Sequence, residues 1–472
     1  MSITLYNTMT RSKDPLTPLD GDQVSLYTCG PTVYNYAHIG NLRTYVFEDI
    51  LKRALIYRGY TVNHVMNVTA VGHLVSDADD GEDKMALGAE REGKTVWEIA
   101  QFYWDAFRAD IERLNIIEPT TWCRATDHIE EQIQQVQLLE EKGFTYTIDD
   151  GVYFDTSKLN DYGKLARLDI EGLRAGARIE VSEDKRNYTD FALWKLSPKN
   201  STRLMEWESP WGMGFPGWHL ECSTMAMKYL GEHLDIHCGG IDHIAVHHTN
   251  EIAQAESALG HEWTKCWMHG EFLTLAKSDE SAGGKMSKSS GEFLTMDVLI
   301  DKHNYDPIAY RYFLLGAHYR QQLAFSWEGM DAAASALARL KRIVLTTRDD
   351  YTGDQEPLAD CLEEFDTAVV DDLNMPRALA AMWKAAKNTT ASPGEVYATL
   401  LHMDCILGLG VAEMTPVETA DGADEEIDSL VEARTTARAE KNYARGDEIR
   451  DQLAELGIEI MDSPEGTTWR RI

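Results

Sequence analysis

Histidine and cysteine crowd one part of this 472-residue chain. His219, His233, His237, His243, His247, His248, His261 and His269 make eight of its fifteen histidines, and Cys222, Cys238 and Cys266 lie among them. Imidazole nitrogens and thiolates are the donors that zinc prefers. His243 and His247 are four residues apart, as are His247 and Glu251, so each pair shares one helical face. Spacing alone does not choose the ligands, because no Cys-x-x-Cys pair occurs. For any single histidine a satisfied structural role is the simpler reading. For the cluster, a metal competes with it.

Two further segments have the chemistry of polyphosphate binding. Cys29-Gly30-Pro31-Thr32-Val33-Tyr34 runs into His38-Ile39-Gly40-Asn41, between a strand and a helix start. Backbone N–H groups and the helix dipole favour anions there, and a glycine lets the backbone approach a phosphate. His-x-Gly by itself is a weak signal, since a histidine at a helix start is more often a cap or surface residue. The second segment, Gly283-Gly284-Lys285-Met286-Ser287-Lys288-Ser289, sets two lysines three apart in a Gly/Ser loop. Such a loop can carry positive charge onto a phosphate.

The flanking pattern supplies the scaffold. Val24–Cys29 reads as a buried strand, Leu42, Val46, Ile50 and Leu55 as a helix face, and Thr61–Val68 as a second strand. Strand, helix, strand predicts a parallel sheet and an α/β fold. The stretch from Trp97 to Leu139 reads as helical. Tyr146 to Lys195 looks short, mixed and inserted, and a further βα pattern starts at Leu234. Met330 to Leu409 is Ala- and Leu-rich with helical period, suggesting a bundle.

Composition narrows the class. The length calls for several domains, and no apolar run spans a membrane. No basic region followed by an apolar stretch opens the chain. Seven cysteines, sparse and odd in number, fit a reducing cytoplasm. Against 45 basic side chains stand 78 acidic ones, a net charge of −33. That disfavours non-specific nucleic-acid or anionic-membrane binding and reads as a solvated acidic surface, of the kind suited to high salt. Bases are relatively concentrated at the end: residues 351–430 hold 17 acids and 3 bases, residues 431–472 hold 9 acids and 7 bases. Arg434, Arg438, Lys441, Arg445, Arg450, Arg470 and Arg471, with Trp469 as a stacking surface, suit unpaired bases. An amphipathic helix with ion pairs is the competing account.

Together these segments resemble the class I aminoacyl-tRNA synthetases, and within them the cysteinyl-tRNA synthetases. Cys29–Tyr34 leading to His38 is similar to that family's approach to its HIGH signature, and Lys285–Ser289 matches KMSKS in full. Gly217-Trp218-His219-Leu220-Glu221-Cys222-Ser223, Asp235–Asp242, His247–Glu251 and the C-terminal Gly466–Arg470 resemble further family motifs. The resemblance implies a Rossmann-like parallel-sheet catalytic domain with an inserted connective region, an α-helical bundle and a small C-terminal tRNA-binding segment. The boundaries expected are 1–140 and 206–275 for the catalytic halves, 141–205 for the insertion and 276–329 for the lysine-loop region. The bundle is expected over 330–412, an acidic linker over 413–430 and anticodon recognition over 431–472.

The resemblance also implies roles. One Zn2+ per chain would be held by Cys29, Cys222, His247 and Glu251, and Mg2+ would accompany ATP. His38, Gly40, Asn41, Gly240, Asp242, Lys285 and Lys288 would bind ATP, with His38, Lys285 and Lys288 catalytic. Gly30, Thr32, Thr69 and Trp218 would hold the amino acid. The expected partners are L-cysteine, ATP and tRNA(Cys), with no membrane, in a cytoplasmic monomer. Zinc would separate a thiol from a hydroxyl without an editing domain, which shape alone does poorly.

Two departures stand out. The HIGH signature ends in Asn41, an amide that donates a hydrogen bond but cannot become cationic, and Ala70–Lys84 is longer than the family's usual short form. The alternatives are a cysteine ligase acting on an amino sugar and a non-catalytic RNA-binding paralogue.

Overall fold

A computed structural model describes residues 2–70, 93–168, 185–197, 205–276, 294–415, 423–439, 442–455, 458–463 and 466–471. The chain opens with an antiparallel pair, β1 (Thr4–Asn7) and β2 (Ser12–Pro15). Then β3 (Gln23–Thr28), α1 (Ile39–Tyr57) and β4 (Thr61–Val68) form the expected βαβ unit. β3 and β4 are parallel, with Leu26 opposite His64. Nearly every α1 residue from Leu42 to Leu55 is buried, charged ones included, so this helix lies inside the molecule.

The expectation of one helical stretch from Trp97 to Leu139 is corrected. Helix α2 (Val96–Arg113) and helix α3 (Ile129–Glu141) are separated by β5 (Thr121–Arg124), a parallel edge partner of β4. Asn115, in the left-handed region at φ 52°, ends α2 just past its C-cap Leu114, and a four-residue strand is too short to show alternation. β6 (Thr145–Ile148), β7 (Gly151–Phe154), β8 (Phe191–Leu196) and β9 (Gly214–Pro216) follow as an antiparallel sheet. Its last strand lies past residue 205. Phe154, Phe191 and Trp194 pack this sheet against Val136 and Leu139 of α3.

The chain then re-enters the main sheet through α4 (Trp218–Leu230), β10 (Leu234–Gly240), α5 (His247–Leu259) and β11 (Thr264–Gly270). The five strands are all parallel in the order β5-β4-β3-β10-β11. The strand order reverses between β3 and β10. In such sheets, ligands bind beyond the strand ends at that point.

After β12 (Leu273–Leu275) come α6 (Pro307–Leu315), β13 (Leu323–Phe325) and four helices: α7 (Trp327–Arg348), α8 (Ala359–Val370), α9 (Met375–Ala386) and α10 (Pro393–Leu407). Fully buried Arg311 of α6 donates to Asp49 Oδ2 of α1 at 2.5 Å, to Leu114 O at 2.9 Å and to Leu407 O at 2.7 Å. One guanidinium thus ties α1 to the ends of α2 and α10.

A separate unit, Met414–Ile472, contains α11 (Ala423–Ala439), α12 (Tyr443–Glu455), β14 (Ile458–Ser463) and β15 (Gly466–Arg471). Ile427, Val431, Ile449, Leu453 and Ile458 form its core. Helix α11 begins inside the span expected to be an acidic linker.

Candidate active site

Cys29 directly follows β3, and its backbone N–H donates to Cys238 O of β10 at 3.2 Å. Helix α5 starts with His247 and carries Glu251 one turn on, while α4 carries Cys222. These four residues are buried, and one donor atom from each lies within 4.8 Å of all the others. His247 Nε2 is 3.4 Å from Cys222 Sγ and 2.9 Å from Glu251 Oε1. Ligands on a tetrahedral zinc sit about 3.3–3.8 Å apart, close to this spacing. Glu251 Oε1 is buried, with His247 Nε2 at 2.9 Å as its near polar neighbour.

The electrostatics agree with that donor set. A hydrogen bond from Cys29 pulls the Cys222 thiol down to about 6 against the effect of burial. Burial pushes the Cys29 thiol up. Burial opposes the Glu251 anion, but His237 and His247 outweigh it and hold the carboxyl at about 2. The cluster therefore gathers two thiols, an imidazole and a carboxylate in a buried pocket, the donor types that zinc takes.

A second set, Cys29, His237, His248 and Glu251, satisfies the same distance condition and shares two members. His237 Nε2 lies 2.8 Å from Glu251 Oε2, and His248 Nε2 lies 3.3 Å from Cys29 Sγ. Outer contacts orient both imidazoles of α5. His247 Nδ1 is 2.9 Å from His219 Nδ1. His248 Nδ1 is 2.8 Å from His269 Nε2, whose Nδ1 meets Thr8 Oγ1 at 2.7 Å. Supports of this kind fix ring orientation in metal sites.

Cys29 also lines a cavity of about 250 Å3, together with Gly30, Thr32, His38, Asn41, Gly240 and Asp242. His38 is the N-cap of α1: its Nδ1 accepts from Asn41 N at 3.1 Å, while Asn41 Oδ1 accepts from His38 N at 3.2 Å. A Cβ on Gly40 would sit 2.9 Å from the His38 ring, and one on Gly30 would sit 1.7 Å from Asn67 O. Only glycine fits at Gly30, against backbone, whereas a side chain at Gly40 would push the His38 ring from its capping position.

The remaining expected residues fall nearby. Thr69 bridges Thr32 and donates to Glu221 Oε2 at 2.8 Å. Trp218 stacks on His247 at 4.2 Å between ring centres. Glu221, to which its motif gives no role, is fully buried beside Cys222. Its other oxygen has no partner, and burial pushes its carboxyl well up.

Residues 15–335 match the family described as tRNA synthetases class I (C) catalytic domain, and residues 420–470 match the cysteinyl-tRNA ligase anticodon binding domain. The chain is 52% identical to cysteine–tRNA ligase 1 of Burkholderia lata, over 99% of this chain and 96% of that one. It is 44% identical to the cysteine–tRNA ligase of Treponema denticola over the whole of both. The chain belongs to the cysteine–tRNA ligases. Its fold is similar to that of Mycobacterium tuberculosis methionyl-tRNA synthetase bound by methionyl-adenylate, with a TM-score of 0.54, 17% identity and coverage of 86% and 94% of the two chains. It is also similar to an Agrobacterium radiobacter LeuRS in a ternary complex with tRNA, with a TM-score of 0.59, 13% identity and coverage of 84% and 85%.

Not every sequence-predicted residue of this ligase joins the site. Lys285 and Lys288 lie outside the described residues, as do residues 71–84 of the long segment. Cys238 and Cys266 belong to neither donor set. His233 and His261 stack on each other at 4.3 Å. His243 lines the cavity rather than joining a donor set. In the C-terminal unit, Arg434 is only 6% exposed, which corrects its grouping with residues offered to RNA. Its spacing from Ile427 and Val431 puts it on the core face of α11. Arg445 pairs with Glu448 at 2.6 Å, and Arg450 lies 3.7 Å from Asp451, as the ion-paired helix reading expects.

Proposed function

We propose that this ligase activates L-cysteine with ATP, giving cysteinyl-adenylate and pyrophosphate, and then transfers cysteine to the terminal ribose of tRNA(Cys). One zinc ion per chain would be held by Cys29, Cys222, His247 and Glu251. The observation that carries this reading is the double position of Cys29, a member of the donor cluster and a wall of the cavity. When bound there, zinc supplies a soft centre that favours sulfur over a hydroxyl.

The protein's own groups position the reactants and stabilise charge. Trp218, Thr69, Thr32 and Gly30 hold the amino acid between cluster and cavity. Gly240 and Asp242 receive the ribose. His38, Gly40 and Asn41 take the phosphates at the N-terminus of α1, where backbone N–H groups and the helix dipole favour anions. Lys285 and Lys288 would supply positive charge to the phosphates, and Mg2+ would accompany ATP.

The regions 276–329, 330–412 and 431–472 would receive tRNA. We place the enzyme in the cytoplasm as a monomer; among the described residues no helix is long and apolar enough to cross a membrane. Cysteine-dependent ATP–pyrophosphate exchange followed by charging of tRNA(Cys) tests the proposal. Exchange without transfer would favour an amino-sugar ligase, and absence of both would favour a non-catalytic RNA-binding protein.

A further inference from the structure

The nucleotide cavity continues onto an aromatic ledge to which neither the sequence motifs nor the proposed reaction assign a role. Tyr36 and Tyr103 line the cavity beside His38 and Asn41. Their rings meet edge to face at 5.0 Å. Phe102, the residue before Tyr103 on α2, extends the group outward, 5.9 Å from Tyr36 and 5.2 Å from Tyr103. It is 39% exposed, although apolar, and Lys94 Nζ sits 4.1 Å from its ring centre. The ledge therefore offers a π surface and one cation at the rim of the cavity.

The transfer step needs an occupant there. The terminal ribose of a tRNA must enter this cavity to reach an adenylate, so the last unpaired bases must cross its rim. A chain of net charge −33 gives phosphates little general attraction. Stacking of bases on aromatic rings needs no net charge, and a lysine beside the ring can serve the adjoining phosphate.

We propose that Phe102, with Lys94, is the stacking site for the unpaired 3′ end of tRNA during transfer. This rests on the tRNA-charging function proposed above. Phe102→Ala should raise the KM for tRNA(Cys) in charging by about tenfold and leave cysteine-dependent ATP–pyrophosphate exchange within about twofold. Phe102→Tyr, which keeps the ring, should restore the KM. An unchanged KM in the alanine variant would overturn the proposal. So would a matching fall in exchange, which would make Phe102 part of the nucleotide site. Failure of the unaltered enzyme to charge tRNA would instead overturn the function on which the proposal rests.

Discussion

Asn41 and His38 cap each other: the His38 ring accepts the N–H of Asn41 at 3.1 Å, and the Asn41 side chain accepts the N–H of His38 at 3.2 Å. The residue by which this chain departs from the HIGH signature thus fixes the imidazole that survives. Its amide completes a capping box, accepting the His38 N–H, while the Asn41 N–H is shared between the His38 ring and His38 O at 2.9 Å. Asn41→Ala should lower stability by about 1 kcal/mol, seen as a lower Tm. It should also raise the KM for ATP more than that for cysteine. Equal changes in both would show that the box does not orient His38 toward the nucleotide.

Arg311 holds α1 from behind. Its bonds to Asp49, Leu114 O and Leu407 O leave its side chain with no exposure. Arg311→Met leaves Asp49 buried with less compensation and should cost about 3–5 kcal/mol in denaturant unfolding. A double variant with Asp49→Asn should recover part of that loss. If the single variant unfolds at the unaltered midpoint, the strut carries no stability.

Asp110 gives a pH signature away from the reaction. Burial, only partly offset by Arg113 at 3.2 Å, raises its carboxyl from 3.8 to about 7. Between those values the folded protein keeps a proton that the unfolded chain has released. Its contribution therefore lowers stability as pH rises from about 4 to about 7. Every tenfold difference in proton affinity between the folded and unfolded chains corresponds to about 1.4 kcal/mol. Asp110→Asn should remove this fall, making the variant more stable than the unaltered protein at about pH 8 but not at about pH 4. Parallel stability curves across that range would contradict the assignment.

Much of the site was legible because its residues sit in short local patterns. The His38–Asn41 segment and the His247/Glu251 turn each lie at a strand-to-helix junction. What stayed hidden depended on contacts across the chain. Glu221 was an ordinary helix acid until Thr69 met it from the end of β4. The pairing of His248 with His269 and Thr8 joins three distant segments. β5 was too short to show a period, and the burial of Arg434 shows only against Ile427 and Val431.

The choice between donor sets falls to Cys222, which belongs to the pair-of-thiols set alone. Metal content of the purified protein and of Cys222→Ser, measured with cysteine- and serine-dependent exchange, tests the central claim most directly. The account predicts one zinc per chain and rejection of serine in the unaltered enzyme, with both largely lost in the variant. Full metal retention by Cys222→Ser would shift the site to Cys29, His237, His248 and Glu251. A metal-free enzyme that still rejects serine would contradict selection by zinc altogether.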